Sequence, residues 1–167
     1  MQGSVRSIAA LAFGLAVLAS GARGQALPTP RTEDAQAIAA CLDKAGNLEG
    51  ACIGIIADAC LKTADSTQRM GDCETRELSV WDGWLNRDYL RVMTSLRPVH
   101  RARLRSIERA FVADRDGRCN FIEQVNGPTT MNGPFIQDCA LHATAEQWLW
   151  LRAYLPGGAQ PAAAGAR

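Results

Sequence analysis

Six cysteines constrain what this chain can fold into more than any other feature of its sequence. No two of them are spaced as CxxC, and the two histidines, His100 and His142, lie far apart, so the pattern does not match a zinc site. An even number of cysteines in an exported chain predicts three disulfides, and no metal or other cofactor is expected. The cysteines are Cys41, Cys52, Cys60, Cys73, Cys119 and Cys139.

The first 26 residues have the pattern of a secretory signal peptide. Arg6 is followed by an apolar run over residues 8–19 and then by small residues up to Ala26. A run of about 12 residues is too short to cross a bilayer as a helix, and no cysteine stands at the expected cleavage point to carry a lipid, so a retained membrane anchor is less favoured. Cleavage is expected after Ala26, with Ala22 as the alternative. The predicted location is periplasmic or secreted.

The charges of the chain are balanced and interspersed. A chain of 167 residues with a formal net charge of +1 predicts one domain, with no nucleic-acid partner and no membrane partner after signal cleavage. One arginine cluster is interpreted as a solvated helix face, and the alternative is a patch for an acidic partner. The oligomeric state is not predicted. The cluster consists of Arg101, Arg103, Arg105 and Arg109.

The spacing of apolar residues predicts helices throughout. Helices are expected from Thr32 to about residue 45, over residues 50–61, after Pro98 and from about Phe135, and residues 156–167 are expected to be a disordered tail. The third helix is the clearest, because its apolar residues recur at steps of three or four from a start near Thr67. Pro98 should interrupt it, since proline lacks a backbone N–H. The recurring residues are Leu78, Trp81, Leu85, Tyr89, Val92 and Leu96.

The third and fourth helices are expected to form an antiparallel hairpin that turns near Arg97. This register places Arg115 level with residues 77–81, so a partly buried pair between Glu77 and Arg115 is expected to fix the hairpin. The fold class is therefore all-α: a small disulfide-stapled helical bundle built on a long antiparallel helix hairpin. A polar seam is expected to extend from the pair through Asp82, Asn86 and Asp116.

The segment between Cys119 and Cys139 contains two strong breakers, Asn-Gly-Pro at residue 126 and again at residue 132. It predicts a loop of about 15 residues, and a loop of that length commonly carries function or is disordered. We interpret residues 120–138 as a candidate binding loop, and the alternative is a connector with no partner. Its candidate contact residues are Asn126, Thr129, Thr130 and Asn132.

The same segments carry a family resemblance. The residues that carry it are Cys73, Glu77, Trp81-Asp82, Leu85-Asn86, Tyr89, Arg115-Asp116, Cys119, Cys139 and Thr144. With these residues the chain resembles the LprI-type lysozyme inhibitor family over about residues 60–151.

Three positions depart from the family pattern: Phe111 replaces the usual Trp, Glu108 the usual Gln, and Gln147 a common basic residue. A smaller ring still fills the core, whereas Glu108 alters surface chemistry.

The resemblance implies an LprI-like helical domain over residues 60–155, with residues 33–59 as an added N-terminal helical hairpin. It also implies the disulfides Cys60–Cys73 and Cys119–Cys139, with Cys41–Cys52 as the extra bridge. The hairpin register leaves an alternative open, because it places Cys119 within a turn of Cys73. The alternative pairs Cys73 with Cys119 and Cys60 with Cys139.

The resemblance implies that the protein binds a lysozyme and blocks it. The loop at residues 120–138 is the candidate contact, because of its length and because a disulfide is expected to close its base. The alternative is an envelope binding or structural protein that inhibits no lysozyme. An enzyme is not expected, because catalysis needs converging titratable groups or a nucleophile beside a base, and neither pattern is visible. Glu74 and Glu77 share a helix face, but capping and ion pairing explain them better than catalysis.

Overall fold

The computed structural model describes residues 27–157, which contain five α-helices and no strand. The predicted signal peptide and residues 158–167 of the predicted tail lie outside the described residues. The prediction of an all-α, disulfide-stapled bundle is confirmed. The helices are α1 (Thr32–Ala45), α2 (Ile55–Leu61), α3 (Thr67–Ser95), α4 (Pro98–Asn126) and α5 (Asn132–Arg152), and a 3-10 turn spans Glu49–Cys52.

Helix α3 begins and ends where the sequence predicts. The side chain of Ser66 caps its start by accepting a hydrogen bond from the Arg69 amide at 3.4 Å. At its end, Arg97 is extended, with φ −67° and ψ 154°, and Pro98 is the first residue of α4. Proline suits that position because its missing N–H has no helical partner there. Pro98 therefore both ends one helix and starts the next.

The predicted second helix is split in two. Residues 49–52 form the 3-10 turn, and α2 begins only at Ile55. Gly54 lies between them with φ +92°, a left-handed conformation that a residue with a Cβ adopts only at a cost. The backbone therefore changes direction at Gly54, and the amides of the first turn of α2 point toward α3.

Helix α5 forms the centre of the bundle. It packs along α3 and also against α4, whereas the backbones of α3 and α4 stay apart over most of their length. Trp81, Trp84 and Trp148 pack together with ring centroids 5.0–5.5 Å apart, and Trp81 is fully buried. The predicted hairpin is therefore present but open, and a groove lies between its two helices.

The structure pairs Cys41 with Cys52, Cys60 with Cys73, and Cys119 with Cys139. These are the pairs that the family resemblance implies, and the alternative based on the hairpin register is wrong. Cys119 cannot reach Cys73 because α5 fills the space between α3 and α4 and brings Cys139 to it, with a Cα–Cα distance of 5.5 Å. Each bridge therefore joins neighbouring elements rather than distant ones.

The segment at residues 33–59, predicted to be an added hairpin, contains α1, the 3-10 turn and most of α2. Two ion pairs help to attach it to the rest of the bundle. Asp34 is buried and accepts hydrogen bonds from both nitrogens of the Arg76 fork, with the Nε contact at 2.7 Å. Glu49 pairs with Arg152 of α5 at 3.0 Å. Residues 33–59 are thus part of one bundle with α3 and α5.

Candidate functional site

The loop between α4 and α5 is much shorter than the sequence predicts. Helix α4 continues to Asn126 and α5 starts at Asn132, so only residues 127–131 are outside a helix. The prediction of a loop of about 15 residues is wrong because breakers are also tolerated at helix ends. Gly127 lies just after α4 with φ +68°, and Pro134 lies in the first turn of α5, where its missing N–H costs nothing.

Two asparagines hold this short loop in one shape. The Asn132 side chain is buried, and its Nδ2 donates to the Gly127 carbonyl at 2.7 Å. Asn126 Nδ2 donates to Asn132 Oδ1 at 3.2 Å, which joins the last residue of α4 to the first of α5. The Asn132 amide also donates to the Thr129 carbonyl at 3.2 Å. The loop is therefore ordered by its own hydrogen bonds, above the Cys119–Cys139 bridge.

The centre of the loop is open to a partner. Pro128, Thr129 and Thr130 are exposed, whereas Asn132 is buried and stabilises the loop. Of the four candidate contact residues, Thr129 and Thr130 are thus accessible at the loop centre. Asn126 is also exposed although it helps to hold the loop, and only Asn132 is buried. An open hollow of about 1010 Å³ lies beside it, between the start of α5, the start of α3 and the segment at residues 27–31. Thr130 lines that hollow.

Exposed apolar side chains lie on both helices next to the loop. Phe121 and Val125, on the last turns of α4, are 57% and 66% exposed, and Phe135 in the first turn of α5 is 45% exposed. Large apolar groups left in water beside an ordered loop are typical of a protein-binding surface. We call this surface the loop end: the loop at residues 127–131 together with Phe121, Val125 and Phe135.

The predicted pair between Glu77 and Arg115 does not exist. Glu77 is fully buried, and its carboxylate accepts hydrogen bonds from the amides of Gly54, Ile56 and Ala57 at 2.7–2.9 Å. The indole Nε1 of Trp81 donates a fourth bond at 2.8 Å. The carboxylate thus caps the start of α2, where the helix dipole also favours negative charge. Its position on α3 turns it away from α4, so no arginine is needed to balance it.

Arg115 finds other partners. It donates to Asp116 at 2.9 Å and to the buried Thr144 hydroxyl of α5 at 3.3 Å, and its guanidinium lies 5.6 Å from the centre of the Phe111 ring. With 20% of its side chain exposed, Arg115 keeps contact with water. The apolar stripe on which it lies faces α5 and the groove rather than a sealed core, so burial does not force a pair with Glu77.

The rest of the predicted seam lines the groove between α3 and α4, a cavity of about 490 Å³. Asp82, Asn86 and Arg115 line it, and Asn86 donates to Asp82 at 2.8 Å. Partial burial raises the pKa of Asp82 even though Arg115 and Asn86 favour its charged form. Asp116 is exposed and reaches the seam only through Arg115. The seam is therefore a partly open polar surface without Glu77.

Asp88 is a structural carboxylate that the sequence analysis missed. It is buried and accepts hydrogen bonds from Arg87, Arg91 and the Trp148 indole at 2.7–3.2 Å. Burial alone would raise the pKa of Asp88, but these donors outweigh it and lower the pKa. Its place in the helical periodicity could have revealed this role. Asp88 falls on the apolar stripe between Leu85 and Val92, where a buried carboxylate needs hydrogen-bond donors.

Glu74, one turn before Glu77, lies in a different electrostatic setting. Burial raises the pKa of Glu74 to about 7, and the nearby carboxylates of Asp138, Glu77 and Asp58 add to that shift. In residues 27–157 no group of three or more His, Cys, Asp or Glu side chains is placed to hold a metal ion. His142 lies 3.5 Å from Asp138, and both side chains are about half exposed.

One comparison with known proteins finds a match. The family model described as lysozyme inhibitor LprI matches residues 58–151, more than half of the chain. No curated protein and no solved structure matches the chain. The matched range contains α3, α4, the loop end and α5 up to residue 151, but only the last residues of α2. Within residues 27–157, no helix has both the length and the apolar content to cross a membrane.

Proposed function

This chain belongs to the LprI family of lysozyme inhibitors, and on that basis we propose that it binds a lysozyme and blocks its substrate cleft. The family is one of inhibitors, so the proposed activity is binding, with no reaction catalysed by this chain. We further propose that the protein acts in the periplasm or after secretion. Three disulfides and the predicted signal peptide support that location, because disulfides persist in oxidising compartments.

The observation that carries the proposal is the ordered loop at residues 127–131. Binding normally costs free energy for ordering the groups that meet the partner. For this loop, most of that ordering has already occurred in the free protein. Asn126 and Asn132 fix its two ends, and the Cys119–Cys139 bridge holds α4 to α5. A short rigid projection on a helical scaffold is suited to enter a cleft.

The chemistry of the loop end suits a lysozyme cleft in two ways. Lysozyme cleaves its polysaccharide with two carboxyl groups at the base of the cleft. The hydroxyls of Thr129 and Thr130 are exposed at the loop centre and can donate hydrogen bonds to such groups. Phe121, Val125 and Phe135 add apolar surface that would be buried around the loop. Inhibition then follows from excluding the polysaccharide.

The test is an inhibition assay on lysozymes of several types with mature, oxidised protein, comparing the wild type with Thr130→Arg. Thr130 is exposed and makes no side-chain hydrogen bond within residues 27–157, so the bulky substitution should leave the fold intact. We expect inhibition to weaken at least about tenfold, because a large side chain at the centre of an interface prevents close packing.

The matched control is Thr32→Arg, which makes the same change at an exposed threonine of α1. It should inhibit as the wild type does. If Thr130→Arg also inhibits normally, the contact surface is elsewhere, and the groove lined by Asp82, Asn86 and Arg115 is the next candidate. If the wild type neither binds nor inhibits any lysozyme, the proposed function is wrong, and an envelope protein with another target remains.

Deleting residues 33–59 would not be a clean functional test. The deletion would remove the three amides of Gly54, Ile56 and Ala57 that satisfy the buried Glu77 carboxylate. An unpaired buried charge destabilises a fold by several kcal/mol. Loss of inhibition in that variant would therefore report unfolding rather than a contact with the partner. Point substitutions at exposed positions avoid this problem.

A further inference from the structure

Positive charge is concentrated at the end of the bundle opposite the loop end. The stretch from residue 87 to residue 109 contains seven arginines and two acids, whereas the other described residues contain eight basic and fifteen acidic side chains. This stretch forms the last turns of α3, the turn at Arg97 and the first turns of α4. We call it the arginine end. Its arginines are Arg87, Arg91, Arg97, Arg101, Arg103, Arg105 and Arg109.

The two acids in this stretch offset only part of its positive charge, and neither is exposed at the surface. Asp88 is buried beneath Arg87 and Arg91, whose own side chains remain 53% and 56% exposed. Glu108 is partly buried and accepts a hydrogen bond from Gln147 at 2.8 Å. Within residues 27–157, Arg103, Arg105 and Arg109 take part in no ion pair. The arginine end is thus a positive surface with no exposed carboxylate of its own.

Two apolar side chains project among these arginines. Leu90 is 63% exposed between Arg87 and Arg91, and Val99 is 66% exposed in the first turn of α4, two residues after Arg97. A surface built only to bind a polyanion gains nothing from exposed leucine and valine. At a membrane interface, by contrast, apolar side chains enter the acyl region while arginines reach the phosphates.

We propose that the arginine end docks on the surface of an anionic phospholipid bilayer. The guanidinium groups complement the headgroup phosphates, to which arginine can donate two hydrogen bonds at once. Leu90 and Val99 add apolar contact with the outer part of the acyl region. The contact is peripheral, since no helix among residues 27–157 is suited to span the bilayer. The balanced charge of the whole chain hides this asymmetry.

Docking in this way would leave the loop end free. The arginine end contains the start of α4 and the loop end contains its last turns, and a helix of 29 residues is about 43 Å long. A protein held at its arginine end would therefore present the loop at residues 127–131 away from the lipid. The inference does not depend on lysozyme being the partner, because lipid binding is measured without it.

The test is flotation of the oxidised protein with vesicles of phosphatidylglycerol and phosphatidylcholine, compared with vesicles of phosphatidylcholine alone. We expect binding only to the anionic vesicles and loss of binding at high salt. Each arginine near an anionic surface strengthens binding about fivefold, so Arg97→Gln with Arg103→Gln should weaken partitioning by roughly 25-fold. Val99→Ser should weaken it by a few-fold with no change of charge.

The control is Arg69→Gln with Arg118→Gln, which removes the same charge at two arginines that are each 61% exposed and paired with aspartates outside the arginine end. It should bind nearly as the wild type does. Equal loss in the two double variants would overturn the proposal, because net charge alone would then explain binding. Failure of the wild type to float would overturn it too, and so would vesicle binding that Val99→Ser leaves unchanged, because the arginine end would then bind polyanions in general.

Discussion

Helix α3 places carboxylates next to a second helix in two regions, the contact with α2 and the groove beside α4. The two regions differ in how deeply the carboxylate is buried and in how many hydrogen-bond donors surround it. At the first contact, Glu77 is fully buried and has four donors. In the groove, Asp82 is partly open, and its one hydrogen bond comes from Asn86. The difference teaches that a carboxylate of α3 can be buried without a charged partner, provided that hydrogen-bond donors satisfy it.

Glu77→Ala should give the largest effect. The substitution leaves three backbone amides and the Trp81 indole without an acceptor in a buried space, so we expect a loss of about 3–5 kcal/mol in the free energy of unfolding. Urea denaturation with the disulfides intact measures it. Asp82→Ala is the matched control and should cost less than about 1 kcal/mol. Similar costs for the two variants would remove the distinction between the contact and the groove.

Glu74→Gln sharpens the comparison at the contact between α2 and α3, because Glu74 is also buried, at 6% exposed, but its carboxyl receives no hydrogen bond within residues 27–157. Its carboxyl has a pKa of about 7 in the folded protein against an ordinary value of 4.5. The neutral Glu74 carboxyl therefore contributes fully to the free energy of unfolding below pH 4.5, and this contribution is lost as the pH rises through 7.

The Glu74→Gln variant should be more stable than the wild type by about 1–3 kcal/mol near pH 8, and nearly equal to it near pH 4. Thermal or urea unfolding across this pH range measures the difference. The Asp82→Asn variant is the control for a carboxylate with partial exposure, and its gain should be smaller. A Glu74→Gln variant that is destabilised at pH 8 would show that the ionised carboxylate has donors after all.

A double-mutant cycle on Glu77 and Arg115 should give the smallest value. Because Glu77 caps α2 and Arg115 binds Asp116 and Thr144, the two side chains share no partner. We expect a coupling energy within about 0.5 kcal/mol of zero, using Glu77→Gln and Arg115→Gln. A coupling above about 1 kcal/mol would join the two regions into the single seam that the sequence suggested.

Several parts of the fold were predictable because they depend on local chemistry. The spacing of Leu78, Trp81 and Leu85 marks an amphipathic helix wherever it lies, and Pro98 cannot continue one. The loop length was not predictable in the same way. The Asn-Gly-Pro at residue 126 spans a helix end and the loop, whereas the one at residue 132 opens α5, and only the continuation of helical hydrogen bonds distinguishes them.

The candidate site was predictable only in part. Thr129 and Thr130 lie at the loop centre as expected, but the asparagines on either side hold its shape. The exposed Phe121, Val125 and Phe135 were not singled out, because an apolar residue in a helix gives no sign of whether another helix covers it.

By itself, the sequence determined that the chain is helical, where α3 begins and ends, and which cysteines are available for bridging. The tertiary structure decided which neighbours meet. The Glu77 carboxylate accepts hydrogen bonds from backbone amides at the start of α2. Almost every residue has such an amide, so the residue types in the sequence do not show which amides will be donors. Likewise α5, by packing along α3 and against α4, opened the groove and brought Cys139 rather than Cys73 to Cys119. Periodicity gives the face that a helix buries, but the partner for that face is set by packing of the whole bundle.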